Sequence, residues 1–432
     1  MLWSRRTWLG SAAAALSANE GPVRREPLRP RTFGPLYYDE STWALLSEVL
    51  KTRSPFRFWG MGATPPDKVA RLERTVAQWM GVKYALAVNS GTSALETALA
   101  ALEIGPGDEV IVPAWTWHSC WHAVVRMGAL PVTAEVDGSF NLDPTLVERH
   151  ITPATRAIMI VHLQGNPADL GKLLPIARKH NLKVLEDCSQ AVGASYQGKP
   201  LGSYGDIAAA SLQVNKTISA GEGGIVYTND PLLFERSVRF HDVGTLRQVH
   251  EEMLGQKPVL DAFPGANFRM NEFSGAVLLS QFQQLTQVVS DIRGVARRVY
   301  DGVRDLPGIR FRHLPDPAGE LGVGVYMEFE SQSKRDRFLT LMKGENIPGS
   351  PPSGSAVLPI QPYALHKTGC GKNWPSFILG RGSSIQYGKD SCPRTLDVMA
   401  RYGGINLDPK YSEADTRDVV AAIRKVWPKV AG

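Results

Sequence analysis

The chain has 432 residues, 43% of them hydrophobic, and a net charge of +6. That length supports two domains with a sizeable core, and no apolar run approaches the roughly 18 residues of a membrane span, so no integral membrane segment is expected. Six arginines (Arg5, Arg6, Arg24, Arg25, Arg29, Arg31) against Glu20 and Glu26 in the first 31 residues carry four of the six excess charges; the remainder is near balance, without the basic, aromatic-interleaved surface that nucleic-acid binding requires. The four cysteines, Cys120, Cys188, Cys370 and Cys392, have no Cys-x-x-Cys spacing and suggest neither a zinc site nor a disulfide framework.

Residues 1–31 read as a basic leader. Paired Arg5 and Arg6, a short apolar stretch and the small residues up to Ala18 resemble a bacterial twin-arginine export signal. The other reading is a leader on a cytoplasmic protein, and the compartment stays open. Helices are expected over 38–51 and 66–80, the second from Val69, Leu72, Val76 and Trp79 at helical spacing. From Tyr84 the chain alternates: strands over 85–88, 109–114, 130–135, 157–163, 183–185, 207–212 and 224–228, with helices over 92–102, 118–127 and 170–180 among them. Strands of this kind, nearly continuously apolar, predict an α/β fold with a mostly parallel sheet covered by helices. Two consecutive helices over 271–288 and 292–303 then lead into a smaller α/β part with a strand over 323–329 and a closing helix over 412–426. The resulting division is 1–31, 32–285 and 286–432. Between the last two elements, 346–390 is rich in glycine, proline and serine, a composition more often functional than idle at that length.

Two strand ends carry the chemistry. Ile207 to Leu212 empties into a loop bearing Lys216, and the strand ending Val184-Leu-Glu-Asp187 delivers a carboxylate. In such sheets ligands gather at the strand carboxyl ends. A lysine and an aspartate there are the pair that pyridoxal 5'-phosphate needs, the amine to link to its aldehyde and the carboxylate to keep its ring nitrogen protonated. Asn89-Ser90-Gly91-Thr92-Ser93 adds a strand, a glycine turn and a helix start, whose hydroxyls and free amides suit a phosphate. Trp117, at the mouth of the preceding strand, is the candidate to stack on a ring, while Trp115 suits the core. Gln190 is within reach of a cofactor's phenolic oxygen, and Ser211 of its phosphate.

Taken together, Ser90-Gly-Thr-Ser-Ala-Leu95, Gly105-Pro-Gly-Asp-Glu-Val-Ile-Val-Pro113, Val161-His-Leu-Gln-Gly165, Glu186-Asp-Cys-Ser-Gln190, Ser211-Leu-Gln-Val-Asn-Lys216 and Gly265-Ala-Asn-Phe-Arg269 resemble the DegT/DnrJ/EryC1/StrS aminotransferases. The likeness runs from about Tyr38 to Leu285 and is weak beyond. It implies a fold-type I enzyme that transfers an amino group from glutamate or glutamine to a keto sugar or keto cyclitol. It makes Lys216 the Schiff-base lysine and Asp187 the pyridinium partner, sets Gln190 and Trp117 at the cofactor ring, and gives Thr92, Ser93 and Ser211 to the phosphate. Asn267 becomes a phosphate contact donated by a neighbouring subunit, which implies a homodimer with shared active sites.

Some relatives are sugar dehydratases with histidine in place of the lysine; Lys216 favours transamination here. Ser211-Leu-Gln213 and Ser219-Ala-Gly-Glu-Gly-Gly224 look more like the scyllo-inosose aminotransferase and 3-amino-5-hydroxybenzoate synthase branch than the nucleotide-sugar branch. A dehydratase or lyase on a related keto sugar, and a cofactor-binding protein without catalysis, are the rival readings.

Overall fold

The computed structural model describes residues 21–29, 37–59 and 66–431. Its centre is a seven-stranded sheet built from β1 (Tyr84–Val88), β2 (Glu109–Pro113), β4 (Leu130–Ala134), β5 (Thr155–Val161), β6 (Lys183–Asp187), β9 (Ile207–Ser211) and β10 (Gly224–Thr228). The short strands β3 (Trp115–Thr116), β7 (Ser195–Tyr196) and β8 (Lys199–Pro200) lie outside it. The order is β1-β10-β9-β6-β5-β2-β4, with β10 antiparallel to both neighbours and every other pairing parallel. Five of the seven strands are buried at every residue, as cover on both faces requires.

Local sequence sets the helix ends. Asp39 caps α1 (Glu40–Thr52) in a reciprocal box with Thr42, and α2 (Lys68–Met80) stops at Gly81 in the left-handed region. Ser90 caps α3 (Gly91–Ala101), whose amide end points to the carboxyl edge of the sheet. The helices α4 (His118–Arg126), α5 (Leu170–Lys179), α6 (Pro231–His241) and α7 (Gln248–Leu254) follow.

The two helices expected over 271–303 are one, α8 (Glu272–Val303), 32 residues long. No glycine or proline interrupts Val288 to Ile292, and Leu285, Val288, Val289, Ile292, Val295, Ala296 and Val299 continue one buried stripe. Beyond it, β11 (Gly324–Glu328) and β13 (Tyr402–Asn406) form a separate antiparallel pair, with α9 (Gln332–Gly344) and α12 (Pro393–Arg401) between them in the chain and α13 (Glu413–Val426) after them.

The Gly/Pro/Ser-rich stretch has definite work. Its β12 (Ala356–Val357) pairs with β3, and the short helices α10 (Pro362–Leu365) and α11 (Pro375–Ile378) follow. It then runs over β4, one edge strand of the sheet, where Tyr387 donates to the Pro131 carbonyl at 2.7 Å, and Arg381 pairs with buried Glu109 on the adjacent β2. Pro131 has no N–H to leave unpaired, which suits an edge, and the covering chain hides the rest.

The twin-arginine stretch and Arg31 lie outside the described residues. The part of the leader that is described, 21–29, is bound to the C-terminal region: Val23 N–H donates to Glu345 at 2.8 Å, and Arg24 pairs with Asp415 and Asp418 at 3.0 and 2.6 Å. Leu28 is buried, its N–H on the Asn346 carbonyl at 2.8 Å. Among the described residues no helix is long and apolar enough to cross a membrane.

Candidate active site

A cleft of about 750 Å³ opens at the carboxyl ends of the strands and is lined by Ser90, Gly91, Thr92, Trp117, Asp187, Gln190, Ser211 and Lys216. Six of the eight residues singled out from sequence, all but Ser93 and Asn267, thus lie in one cavity, with Ser90 joining them. Thr92 shares a hydrogen bond with Ser119 at 2.7 Å. Ser93 does not reach the cleft: it is buried, and its hydroxyl is engaged by Asn89 and Ser90 inside the first turn of α3. Asn267 is exposed, bridged to Asp242 through the backbone, and does not line this chain's cleft.

Asp187 ends β6 and is buried. One oxygen accepts the Ser189 amide at 2.9 Å; the other takes the Cys120 thiol at 3.2 Å. Burial, with the Asp187 charge next, pushes the Cys120 thiol well above its ordinary pKa, so it stays protonated and donates. The neighbouring Glu186 points the other way. Its carboxylate accepts His162 Nε2 and the amides of Gly202, Tyr204 and Gly205 at 2.6–3.0 Å. Because His162 Nδ1 accepts the Ala168 N–H at 3.1 Å, the ring proton sits on Nε2 and donates to Glu186. Burial alone would raise the pKa of Glu186, but the His162 hydrogen bond and the amides more than offset it and hold the acid below its usual range. This locks the end of β6 from which Asp187 projects.

Lys216 lies in a closed loop after β9: its N–H donates to the Gln213 carbonyl at 2.9 Å, and Val214 N–H to Gly221 at 3.0 Å. Gly221 takes a φ of +85°, which makes the return possible. Two further glycines let the walls close. A Cβ on Gly91 would stand 2.4 Å from Ser211 Cβ, and one on Gly224 would stand 2.1 Å from the Ser90 carbonyl oxygen. Trp117 is 51% exposed at the cleft mouth, whereas Trp115 is 2% exposed and packs edge-on against Phe140.

Gln164, in the stretch Val161-His-Leu-Gln-Gly165, carries no sequence signal of a role but joins several walls of the cleft. It sits at φ +53°, its N–H donates to Gln190 Oε1 at 3.0 Å, and its side chain accepts Tyr326 OH at 3.0 Å while donating to the Ser353 carbonyl. Gln190 in turn donates to Ser355 Oγ at 3.1 Å. The start of the Gly/Pro/Ser-rich stretch, 348–354, therefore forms one wall of the cleft. Arg29, Asn406 and Tyr411 line it as well. No periodicity or motif signals these three, which the chain brings in from its two ends.

The residues suit a phosphorylated pyridine cofactor: a capped helix end with close glycines at one side, a buried carboxylate held in one orientation, and a lysine, all in one cleft. An α/β sheet with such a cleft at its switch from parallel to antiparallel strands defines the class of fold-type I enzymes. Residues 60–369 match the DegT/DnrJ/EryC1/StrS aminotransferase family, and the chain belongs to it. It is 41% identical over 220 residues to the GDP-perosamine synthase of Caulobacter vibrioides, covering 51% of this chain and 57% of that one. The match thus spans little more than half of that relative's length. The GDP-perosamine synthase of Vibrio cholerae is 30% identical over 306 residues, covering 69% of this chain and 80% of that one. Among solved structures, a 3-amino-5-hydroxybenzoic acid synthase superposes with a TM-score of 0.75 at 26% identity, covering 94% of this chain and all of that one.

Proposed function

We propose that this protein is a pyridoxal 5'-phosphate-dependent aminotransferase that moves an amino group from glutamate or glutamine to a keto sugar or keto cyclitol. The observation that carries this is the meeting of Lys216, Asp187 and the amide end of α3 in one cleft. When bound, pyridoxal 5'-phosphate supplies an electron sink for the pair left when a proton leaves the carbon next to the transferred nitrogen. The chain's own residues do the rest. Lys216 Nζ would hold the cofactor and, once free, would take the proton from the donor carbon and return it. Asp187, held in one orientation by an amide and a thiol donor, would face the ring nitrogen and keep a proton on it. Thr92, Ser211 and the first amides of α3 bind the phosphate, with Ser93 contributing through the turn it braces. Trp117 covers one ring face and Gln190 faces the phenolic oxygen.

Two further parts of the reading are proposals. Exposed Asn267 completes the phosphate site of a second subunit in a homodimer. The division at about residue 285 is supported by the separate β11–β13 sheet, with α8 running through the boundary.

The test is the visible spectrum of the purified protein with pyridoxal 5'-phosphate, before and after glutamate or glutamine. A lysine-linked band that converts to the amine form of the cofactor supports the reading; no band sinks it. Lys216→Ala should bind cofactor without the band and lose multiple turnover.

A further inference from the structure

Among the described residues that line the cleft, the charged ones are Arg29, Lys216, Asp187 and Glu222. On the proposed function, Lys216 and Asp187 are committed to the cofactor. A substrate that enters with a carboxylate or a phosphate then meets one remaining cation of this chain, Arg29.

Its setting is built rather than accidental. Leu28, immediately before it, is buried and tied to Asn346, and the Arg29 carbonyl accepts the Tyr411 hydroxyl at 2.8 Å. The guanidinium carbon stands 5.6 Å from the centre of the Tyr411 ring, and Nη2 lies 3.7 Å from Asp408 Oδ1. The Asp408 side chain is 1% exposed and that of Arg29 is 49% exposed. At 3.7 Å the pair lacks the two short parallel bonds of a fork, so Asp408 and Tyr411 orient the guanidinium without filling its donor edge. A backbone fixed on both sides and an oriented, half-exposed planar cation at a cleft wall form a receptor for a planar or tetrahedral anion.

We propose that Arg29 is a specificity-determining residue of this enzyme: it binds the anionic group of a substrate, either a carboxylate of the amino donor or a phosphate of the acceptor. This rests on the function proposed above, because it is the commitment of Lys216 to the cofactor that leaves Arg29 to the substrate. It also gives one arginine of the basic leader a place in the chemistry.

The experiment is calorimetric titration of the cofactor-loaded protein, at constant ionic strength, with glutarate and separately with inorganic pyrophosphate. Loading with cofactor fills the phosphate site, so pyrophosphate reports on the substrate region. Wild type is compared with R29A and R29K, with folding checked by thermal melts. Losing a charge-assisted fork should weaken binding about 10-fold or more in R29A, with R29K in between. Weakening of glutarate alone assigns Arg29 to the donor; weakening of pyrophosphate alone assigns it to a phosphorylated acceptor; weakening of both leaves it serving each in turn. Unchanged affinity for both anions, or a wild type that binds neither, overturns the proposal. If R29A does not fold, R29Q and R29K decide by the same comparison. Failure of the parent reading would look different: wild type and variants alike would show no cofactor band.

Discussion

The thiol of Cys120, on α4, lies 3.2 Å from the Asp187 carboxylate at the end of β6, and Thr116 Oγ1 lies 3.3 Å behind that thiol. A helix and a strand that are distant in sequence thus meet at the carboxylate proposed to face the cofactor ring. Removing the donor leaves one oxygen of a buried acid short of a partner, a cost of about 1 kcal/mol or somewhat more. Cys120→Ala should therefore raise the dissociation constant for pyridoxal 5'-phosphate about fivefold, while Cys120→Ser, which keeps a donor, should stay close to wild type. Titration of the apo-protein by absorbance measures this. Equal affinities in all three would show that the contact does not orient Asp187.

The end of the cleft proposed for the phosphate depends on the absence of a side chain at Gly91. A methyl there would need to occupy space 2.4 Å from Ser211 Cβ, so α3 has to move away from β9. Overpacking of this kind costs about 1–3 kcal/mol, and it falls where the helix amides are aimed. Gly91→Ala should fold but bind cofactor about tenfold more weakly or worse. Isothermal titration with pyridoxal 5'-phosphate, beside a thermal melt, separates the two effects; unchanged affinity would remove α3 from the phosphate site.

Asp187 and Lys216 could be read from sequence because strand ends are visible as apolar runs that stop, and chemistry in this kind of sheet collects at those ends. Ser93 was beyond such reading: whether a hydroxyl in a helix's first turn faces out or back is decided by the Asn89 side chain, which captures it. Helix α6, absent from the expected elements, did carry its signals, Asp230 as cap and Pro231 at the first position. The placing of 346–390 depends on a sheet edge more than 200 residues away in sequence, and that of Arg29 on a C-terminal tyrosine. Neither partnership leaves a local pattern.

A buried polar cluster under β1 predicts acid sensitivity. Arg57 bonds Glu73 at 2.8 Å and His250 Nε2 at 3.1 Å, with His241 stacked edge-on against His250. Burial first, then the neighbouring His250 and Arg57 charges, lower the His241 pKa to about 3; burial also lowers that of His250. The unfolded chain therefore binds more protons than the folded one below about pH 6.5, and stability must fall as the pH falls through that range. Between about pH 6.5 and 5, His241 alone accounts for roughly 2 kcal/mol. Glu73 adds to the loss further down: its folded pKa of about 2, held there by Arg57 and His250 against its burial, makes its contribution complete above the ordinary carboxylate value and lost between about pH 4.5 and 2. Urea denaturation at pH 7 and pH 5 should show the first drop in wild type and a shallower one in His241→Gln. Parallel slopes would mean that His241 does not titrate with folding.

Gln164 ties three parts of the cleft together, through Tyr326 on β11, the Ser353 carbonyl and Gln190. It does so at φ +53°, where a side chain is unfavourable, so replacement by alanine would mix a backbone effect with the loss of the amide. Gln164→Gly separates them. Glycine relieves the backbone by about 1 kcal/mol, and the two lost side-chain hydrogen bonds cost about 1–3 kcal/mol together, so global stability should change little. The wall formed by 348–354 loses its anchor all the same. Hydrogen exchange should then speed up about tenfold in that segment and in β12, and remain unchanged in β6 and β9. If exchange in 348–354 is as slow as in wild type, the wall is held by its other contacts, and Gln164 is a strained residue without a positioning role.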